Sequence, residues 1–360
     1  MKREYEYLNL ARFLAALWVL LFHANIHFGQ LEPLSFINPI LNEGVLGMTV
    51  FFILSGFVLA MCYSSFKEKG TAQSFYLARV IRLYPVYLVM GVVTFPTIFM
   101  TAEGYLFYEY YTVIWIAMII GIFLLAIQAW APALFSVWNF GGSWSLSVEA
   151  FFYATFPKLR DYLTKLSKEN LIIIIFACII IMFTILSLLI AQEGENSQQV
   201  IFYVLPVFRY PEFILGAVVF ILCVERKSYR ELLTKLSIPA FIIGLILIYT
   251  IELPGYLDFG FLFALPIAMI FVKTLELKAS EFTSKIFNYL GHISYCLYLV
   301  QFGTAPYLIS VLGDASLLES WLAFIAMTFI AANLLHFLIE VPAHSFLKKK
   351  LVERSLMKVR

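Results

Sequence analysis

The run LIIIIFACIIIMFTILSLLIA, residues 171–191, is 21 residues long and carries no charge. A helix needs about 20 such residues to cross the roughly 30 Å hydrocarbon core of a bilayer. Its flanks give it a direction. Lys158, Arg160, Lys165 and Lys168 precede it, whereas Glu193 and Glu195 follow it with no basic residue beside them. Lysine and arginine in short loops collect on the cytoplasmic side, so the segment is expected to start inside and end outside.

Outward from this run the chain repeats the pattern. Of its 360 residues, 62% are hydrophobic and 13% charged, with a mean hydropathy of +0.88. Soluble domains run at about 45–50% and 25%, and disorder needs low hydrophobicity and high charge, so both classes are excluded. Ten further apolar runs fall at 8–28, 45–64, 79–100, 112–130, 143–159, 200–224, 237–253, 258–275, 287–311 and 318–341. Basic clusters near 2–3, 67–82, 158–168, 226–235, 273–285 and 348–360 alternate with loops that hold only acidic residues, among them Glu32, Glu43, Glu103 and Asp314. Eleven strict crossings would put the basic loop 158–170 outside. One segment between Tyr105 and Phe156 that returns to its own face restores the alternation, and Pro132, Gly141 and Gly142 mark a break there. Non-helical backbone at membrane depth is tolerated where it lines a protein cavity.

The expectation is therefore an all-α, polytopic transmembrane helix bundle of about ten crossings plus a re-entrant segment near 112–142, with both termini cytoplasmic. A single transmembrane domain spans 1–345, and a basic tail covers 346–360. Lys2 and Arg3 before the first run resemble a signal peptide, but Arg12 interrupts the run and no small-residue cleavage site follows, so it reads as a retained helix. Cys62, Cys178, Cys223 and Cys296 lie inside or at the ends of apolar runs without close spacing, and read as buried hydrophobes. No repeat, linker or nucleic-acid-binding pattern is present. The chemistry has to occur inside the bundle or at its faces.

On this reading only Arg12 and Arg209 of the 25 basic residues fall within spans. A charge at mid-bilayer costs about 2.5–3.5 kcal/mol on insertion scales, so such residues face cavities and mark function. Arg12 and His23 are eleven positions apart, three turns plus about 20°, which puts both on one helix face about 16 Å apart. A permanent cation sits near the inner end and a titratable base near the outer end. The plainer alternative is an arginine snorkelling to headgroups and an interfacial histidine. His27 stands four residues after His23, a zinc-sharing interval, but no third ligand or glutamate base accompanies it, so no metal is expected. Arg79 and Arg82, one turn apart at the cytoplasmic mouth of the third span, suit a phosphate or pyrophosphate, or else anionic lipid headgroups. Glu149, in GGSWSLSVE (141–149), is expected in the outer half of its span, level with His23, where a carboxylate would orient the imidazole. Arg209 precedes Glu212 by three residues across Pro211, which is expected to kink the helix. An ion pair of Arg209 with Glu212 or Glu149 competes there with direct substrate contact. Glu340-Val341-Pro342 reads as a structural stop to the last span.

Five stretches in order then resemble the acyltransferase 3 family of integral-membrane acyltransferases. They are Arg12-Phe13-Leu14-Ala15-Ala16 with His23; Gly44 to Gly56, ending Phe51-Phe52-Ile53-Leu54-Ser55-Gly56; Arg79-x-x-Arg82; Trp144-Ser145-Leu146 with Glu149; and Arg209-x-Pro211-Glu212-Phe213 with Gly216. The resemblance implies a ten-span acyltransferase in the bacterial cytoplasmic (inner) membrane. It implies cytoplasmic acyl-CoA, usually acetyl-CoA, as donor, with no tightly bound cofactor. The acceptor implied is an extracytoplasmic hydroxyl, such as that of a cell-surface polysaccharide or its lipid-linked precursor. By the same likeness His23 is the essential catalytic histidine with Arg12 its partner, and Arg79 and Arg82 hold the donor. Beside the likeness, Glu149 is expected to join the catalytic set, and Trp144, Ser145, Arg209 and Glu212 are expected to contact substrate. His23 either takes the acceptor's proton or carries the acyl group itself. One position departs from the pattern: Gln301 stands where many relatives have a histidine, so it can hydrogen-bond but not relay a proton. The rival class is a secondary transporter or flippase that uses Arg, His and Glu as a proton relay, but the halves show no internal repeat and the Arg79/Arg82 pair would then lack a purpose.

Overall fold

The computed structural model describes residues 5–44, 46–96, 109–132, 135, 142–190, 196–250, 260–313 and 315–357, and every regular element among them is helical. The first part contains α1 (Glu6–Phe28), the short α2 (Asn38–Asn42), α3 (Leu46–Cys62), α4 (Thr71–Thr94) and α5 (Glu109–Leu124). The middle contains α6 (Trp144–Leu163), α7 (Lys168–Ile190), α8 (Asn196–Val204) and α9 (Pro206–Phe220), the last continued by a π-turn over Ile221–Glu225. Then come α10 (Arg230–Thr250), α11 (Gly260–Thr274), α12 (Glu281–Val311), α13 (Leu317–Leu335), a second π-turn over His336–Glu340, and α14 (Val341–Met357). The basic tail thus begins as a continuation of the last helix.

Six helical segments combine the length and apolarity of a membrane span: α1, α4, Lys168–Leu188, Val200–Glu225, α10 and Leu317–Lys349. The bent pair α2–α3 makes up to seven. This is a multi-pass membrane bundle. Two long helices, α6 and α12, fall outside that set for a physical reason. α6 carries Ser145, Ser147, Glu149 and Arg160, and the 31-residue α12 buries Asn288, Ser294, Gln301 and Thr304. Helices that must present polar groups inward cannot also be the most apolar. Part of the expected re-entrant stretch, 133–134 and 136–141, lies outside the described residues. After α5 a short 3₁₀ turn, Gln128–Trp130, docks on the start of α6, where Gln128 Nε2 donates to the Ser143 carbonyl (2.6 Å) and the Ala129 amide donates to Ser147 Oγ (3.2 Å).

The tightest crossing is α3 on α9. A Cβ at Gly56 would lie 2.0 Å from the Phe213 carbonyl oxygen, and one at Gly216 would lie 2.1 Å from that of Ile53. Both obstacles are backbone, which cannot rotate away. Small residues at such crossings let membrane helices pack by dispersion where no hydrophobic effect drives them together. Gly56 and Gly216 of the sequence motifs are therefore a matched pair.

Three expectations are corrected. Arg160 is fully buried, not part of a cytoplasmic loop: α6 runs on to Leu163, and its last turn aims Arg160 inward. There its Nε donates to the Tyr63 carbonyl (2.7 Å) and its Nη2 pairs with Glu225, tying the ends of α3, α6 and α9 together. Cys62 is exposed, because α3 ends on it, whereas Cys178, Cys223 and Cys296 are buried. The run 200–224 breaks at Leu205, whose backbone is extended ahead of Pro206, as expected of a residue before proline. Pro211 lies within continuous helix.

Gly216→Leu is expected to abolish recovery of monodisperse protein in detergent, because α3 and α9 must part. Gly121→Ala, with nothing within 4 Å of its Cβ, serves as the tolerated control. Arg160→Ala, which removes the buried tie between the Tyr63 carbonyl and the partly exposed Glu225, is expected to lower stability in thermal or denaturant unfolding, and Arg160→Met/Glu225→Leu to recover part of it.

Candidate active site

α1, α4 and α6 converge on a cavity of about 70 Å³ whose walls include Arg12, Arg79, Arg82, Ser145 and Glu149, closed by Tyr295 and Tyr298 of α12. Helical spacing puts Arg79 and Arg82 on one face of α4, one turn apart. Three guanidiniums against one carboxylate leave a formal excess of positive charge in an apolar bundle. Arg79 is braced by aromatic faces, its Cζ 5.7 Å from the Phe75 ring centre and 5.9 Å from that of Tyr153. The buried Nε of Arg79 has no hydrogen-bond partner in the protein. The Tyr153 hydroxyl donates to Glu149 Oε2 (2.8 Å), and that of Tyr295 donates to the Leu83 carbonyl (2.8 Å), which ties α12 to α4. A second cavity of about 250 Å³ shares Arg79, Leu83, Leu146 and Tyr153 with the first and runs along α4 to Tyr87.

Eleven residues further along α1, His23 sits against α12. Its Nδ1 is 2.9 Å from Gln301 Oε1, and Gln301 Nε2 donates to the Tyr298 carbonyl (2.8 Å). These two bonds fix the imidazole. A backbone carbonyl can only accept, so the amide of Gln301 must turn its NH₂ to Tyr298 and its oxygen to His23. His23 Nδ1 must then carry a hydrogen, which in the neutral ring leaves the lone pair on Nε2. The ring is also held edge-on to Phe302 (5.0 Å) and beside Phe22 (5.3 Å), with His27 stacked 6.0 Å away. His23 is thus clamped on three sides, with Nδ1 turned to Gln301.

Arg12, Arg79, Arg82, Ser145 and Glu149 therefore meet around one cavity, and His23 stands above it. Glu149 does not join His23 as its expected depth implied. Its hydrogen bond goes to Tyr153 and its cavity mates are the arginines, while Gln301 takes the orienting position. The reason lies at the start of α6, which begins inside the bundle and not at its outer surface. Gly142, Trp144 and Ser145 are buried, a Cβ at Gly142 would lie 2.1 Å from the Phe302 ring, and Ser145 Oγ donates to the Tyr298 hydroxyl (2.9 Å). Phe302 touches His23, so the level of Gly142 is the level of His23. Seven residues later, about 10 Å further down the helix, Glu149 arrives beside Arg12.

Trp144, Arg209 and Glu212 form a separate buried cluster. Arg209 Nη2 pairs with Glu212 Oε1 (3.0 Å), and Thr49 Oγ1 accepts from Arg209 (3.1 Å) while donating to Glu212 (2.7 Å). The guanidinium lies 5.4 Å from the ring centres of both Phe52 and Tyr203, and Trp144 packs on the same two rings. Of the two pairings open in the sequence, Arg209–Glu212 is the one formed. Tyr153 and Tyr298 do not stand out among 21 tyrosines. Their only sequence signal is helical spacing, Tyr153 four residues after Glu149 and Tyr298 three before Gln301.

A family model described as an acyltransferase domain matches residues 5–336. The chain is 26% identical over 330 residues to the acyltransferase MdmB of Streptomyces mycarofaciens, a match that covers 85% of this chain and 82% of that protein. It is 23% identical over 355 residues to a protein of Staphylococcus aureus strain COL that bears the provisional name O-acetyltransferase SACOL0978, and equally to SAS0844 of strain MSSA476. These matches cover 92% of this chain but 56% of each Staphylococcus protein, so the chain spans little more than half their length. No solved structure matches it. A membrane bundle with a polar cavity under a fixed histidine, matched by that family model over nearly its whole length, belongs to the acyltransferase 3 family.

Proposed function

We propose that this chain moves an acyl group, acetyl in the simplest case, from cytoplasmic acyl-CoA to a hydroxyl of an extracytoplasmic acceptor, a cell-surface polysaccharide or its lipid-linked precursor. In this reading it sits in a bacterial inner membrane with ten crossings and both termini cytoplasmic. The observation that carries the proposal is the convergence of three guanidiniums on one cavity, with Arg12 on the same stripe of α1 as His23. Guanidinium forks suit phosphate oxygens, and CoA brings phosphates attached to a thioester on a long narrow arm. The O-acetyltransferase names of the Staphylococcus relatives support a hydroxyl acceptor.

Each residue then has a task. Arg79 and Arg82 hold the anionic end of the donor, and Arg12 extends the positive field along α1 toward His23. Glu149, bonded to Tyr153, offsets part of that field and keeps the arginines apart, which makes it a positioning residue. His23 offers Nε2 to the acceptor hydroxyl. As the hydroxyl oxygen attacks the thioester carbonyl, the proton passes to Nε2, and the imidazolium then returns it to the departing CoA thiolate. Gln301 holds Nδ1–H throughout, as the carboxylate does in a catalytic triad but without a charge of its own. General base catalysis of this kind is worth about 10²–10⁴ in rate.

His23→Ala is expected to lose that factor in acyl transfer while keeping its helix content and its acyl-CoA affinity. Normal transfer by a folded His23→Ala protein contradicts the assignment. Gln301→Leu frees the tautomer, so kcat is expected to fall about 10²-fold with the KM for acyl-CoA unchanged. A hydrogen bond from a guanidinium to a phosphate oxygen is worth about 1.5–3 kcal/mol. Calorimetry on Arg79→Ala and on Arg82→Ala is therefore expected to register acyl-CoA binding weaker by roughly 10–150-fold per arginine. Unchanged affinity in the double variant excludes this donor site, and substrate uptake without any CoA requirement points to a transporter instead.

A further inference from the structure

α12 and α13 run antiparallel, and their register is fixed where Thr304 Oγ1 meets Thr328 Oγ1 at 2.9 Å. Eight residues from that rung, in opposite chain directions, come Cys296 on α12 and His336 at the end of α13. Four residues further come His292 and Glu340. Two ligand-type pairs, His292-x₃-Cys296 and His336-x₃-Glu340, therefore face each other across one helix interface. The i, i+4 interval puts both members of each pair on the same side of its helix. The side chains have gathered: Glu340 Oε2 is 2.7 Å from His336 Nδ1 and accepts from Cys296 Sγ at 3.4 Å, and the three ligand atoms lie within 4.8 Å of one another. The ring of His292 stacks on that of His336, centroids 6.3 Å apart and 20° from parallel. Cys296 is 0% exposed, and the side chains of His336 and Glu340 are 10% and 17% exposed. Residues 336–340 form a π-turn, an insertion that re-aims side chains and recurs at functional sites.

We propose that Cys296, His336 and Glu340 bind a divalent transition-metal ion, with Zn²⁺ the best match to this sulfur, nitrogen and oxygen set. At ordinary zinc bond lengths, tetrahedral ligands stand roughly 3.3–3.6 Å apart, so spacings of 2.7 and 3.4 Å, with the third within 4.8 Å, need adjustments of at most about 1.5 Å. Charge favours the ion as well. A thiolate, a carboxylate and a neutral imidazole around Zn²⁺ sum to zero, so the occupied site adds no net charge to the bundle. Binding releases the Cys296 thiol proton to solvent and involves no redox step. The ion's role is to pin α12 to the α13–α14 rod. Tyr295, the neighbour of Cys296, is a wall of the arginine cavity, so the clamp also steadies the donor side. The proposal does not depend on the acyltransferase reading, since neither His23 nor the arginines take part.

The test is metal content of the full-length protein, purified in detergent, freed of any affinity tag and dialysed without chelator. About one zinc per chain is expected, lost in Cys296→Ser/Glu340→Gln, while Cys62→Ser keeps it. Substitution with Co²⁺ is expected to give a near-ultraviolet thiolate-to-cobalt band that Cys296→Ser removes. Should the double variant misfold, the band in wild-type protein and its loss in Cys296→Ser alone decide the matter. Wild-type protein that stays folded, takes up less than a tenth of an equivalent of Zn²⁺ or Co²⁺ and gives no thiolate band overturns the site, as does zinc that survives in Cys296→Ser/Glu340→Gln.

Discussion

A charge inside hydrocarbon has to be answered by a polar partner or a polar cavity within the bundle, because lipid tails will not do it. That constraint organises the bundle. Arg160 meets Glu225 and the end of α3, and Arg209 meets Glu212 and Thr49 between aromatic rings. Both pairs sit where helices converge, so each fastens the helices that carry it. The Arg12–Arg79–Arg82 cavity is the exception, with three cations to the single carboxylate of Glu149. In the proposed function, an anionic donor from outside the chain completes this cavity.

α1 acts as a ruler for this arrangement. Its eleven-residue interval holds the guanidinium of Arg12 and the imidazole of His23 on one stripe, and α12 locks against it through the Asn9–Asn288 bond and the His23–Gln301 bond. The glycine crossing of α3 and α9 sets the opposite wall, and Met48 to Leu59 of α3 line the cavity from that side. A shift of α12 along α1 would undo the histidine's tautomer and the cavity's closure together, since Tyr298 and Gln301 are one turn apart on the same helix.

What the sequence makes legible is whatever depends on composition and local spacing. The uncharged run 171–191 announces a membrane helix by itself, and the Arg12/His23 and Arg79/Arg82 intervals follow from 3.6 residues per turn. The level of Glu149 is not legible, because it depends on how deep α6 begins, and that is set by the contacts of Gly142 with Phe302 and Ser145 with Tyr298 across some 150 residues of chain. Arg160 reads as a loop charge for a similar reason: where a span ends depends on whether a partner such as Glu225 waits inside. Gln301 is visible only as a departure from a pattern. Its place as the group that orients His23 depends on the Tyr298 carbonyl beside it. Short-range chemistry is readable, and the depth and facing of each helix are decided by its neighbours.

Sidedness tests the proposed arrangement most directly. Sealed membrane vesicles of known orientation are to be given acetyl-CoA labelled in the acetyl group, on the outside only. Inside-out vesicles, which expose the cytoplasmic face to which the proposed topology assigns the termini and the basic loops, are expected to release CoA and to carry the label into lumenal acceptor, and right-side-out vesicles are expected to do neither. Equal consumption of acetyl-CoA from both faces would contradict a donor cavity that opens on one side of the membrane beneath a histidine that serves the other.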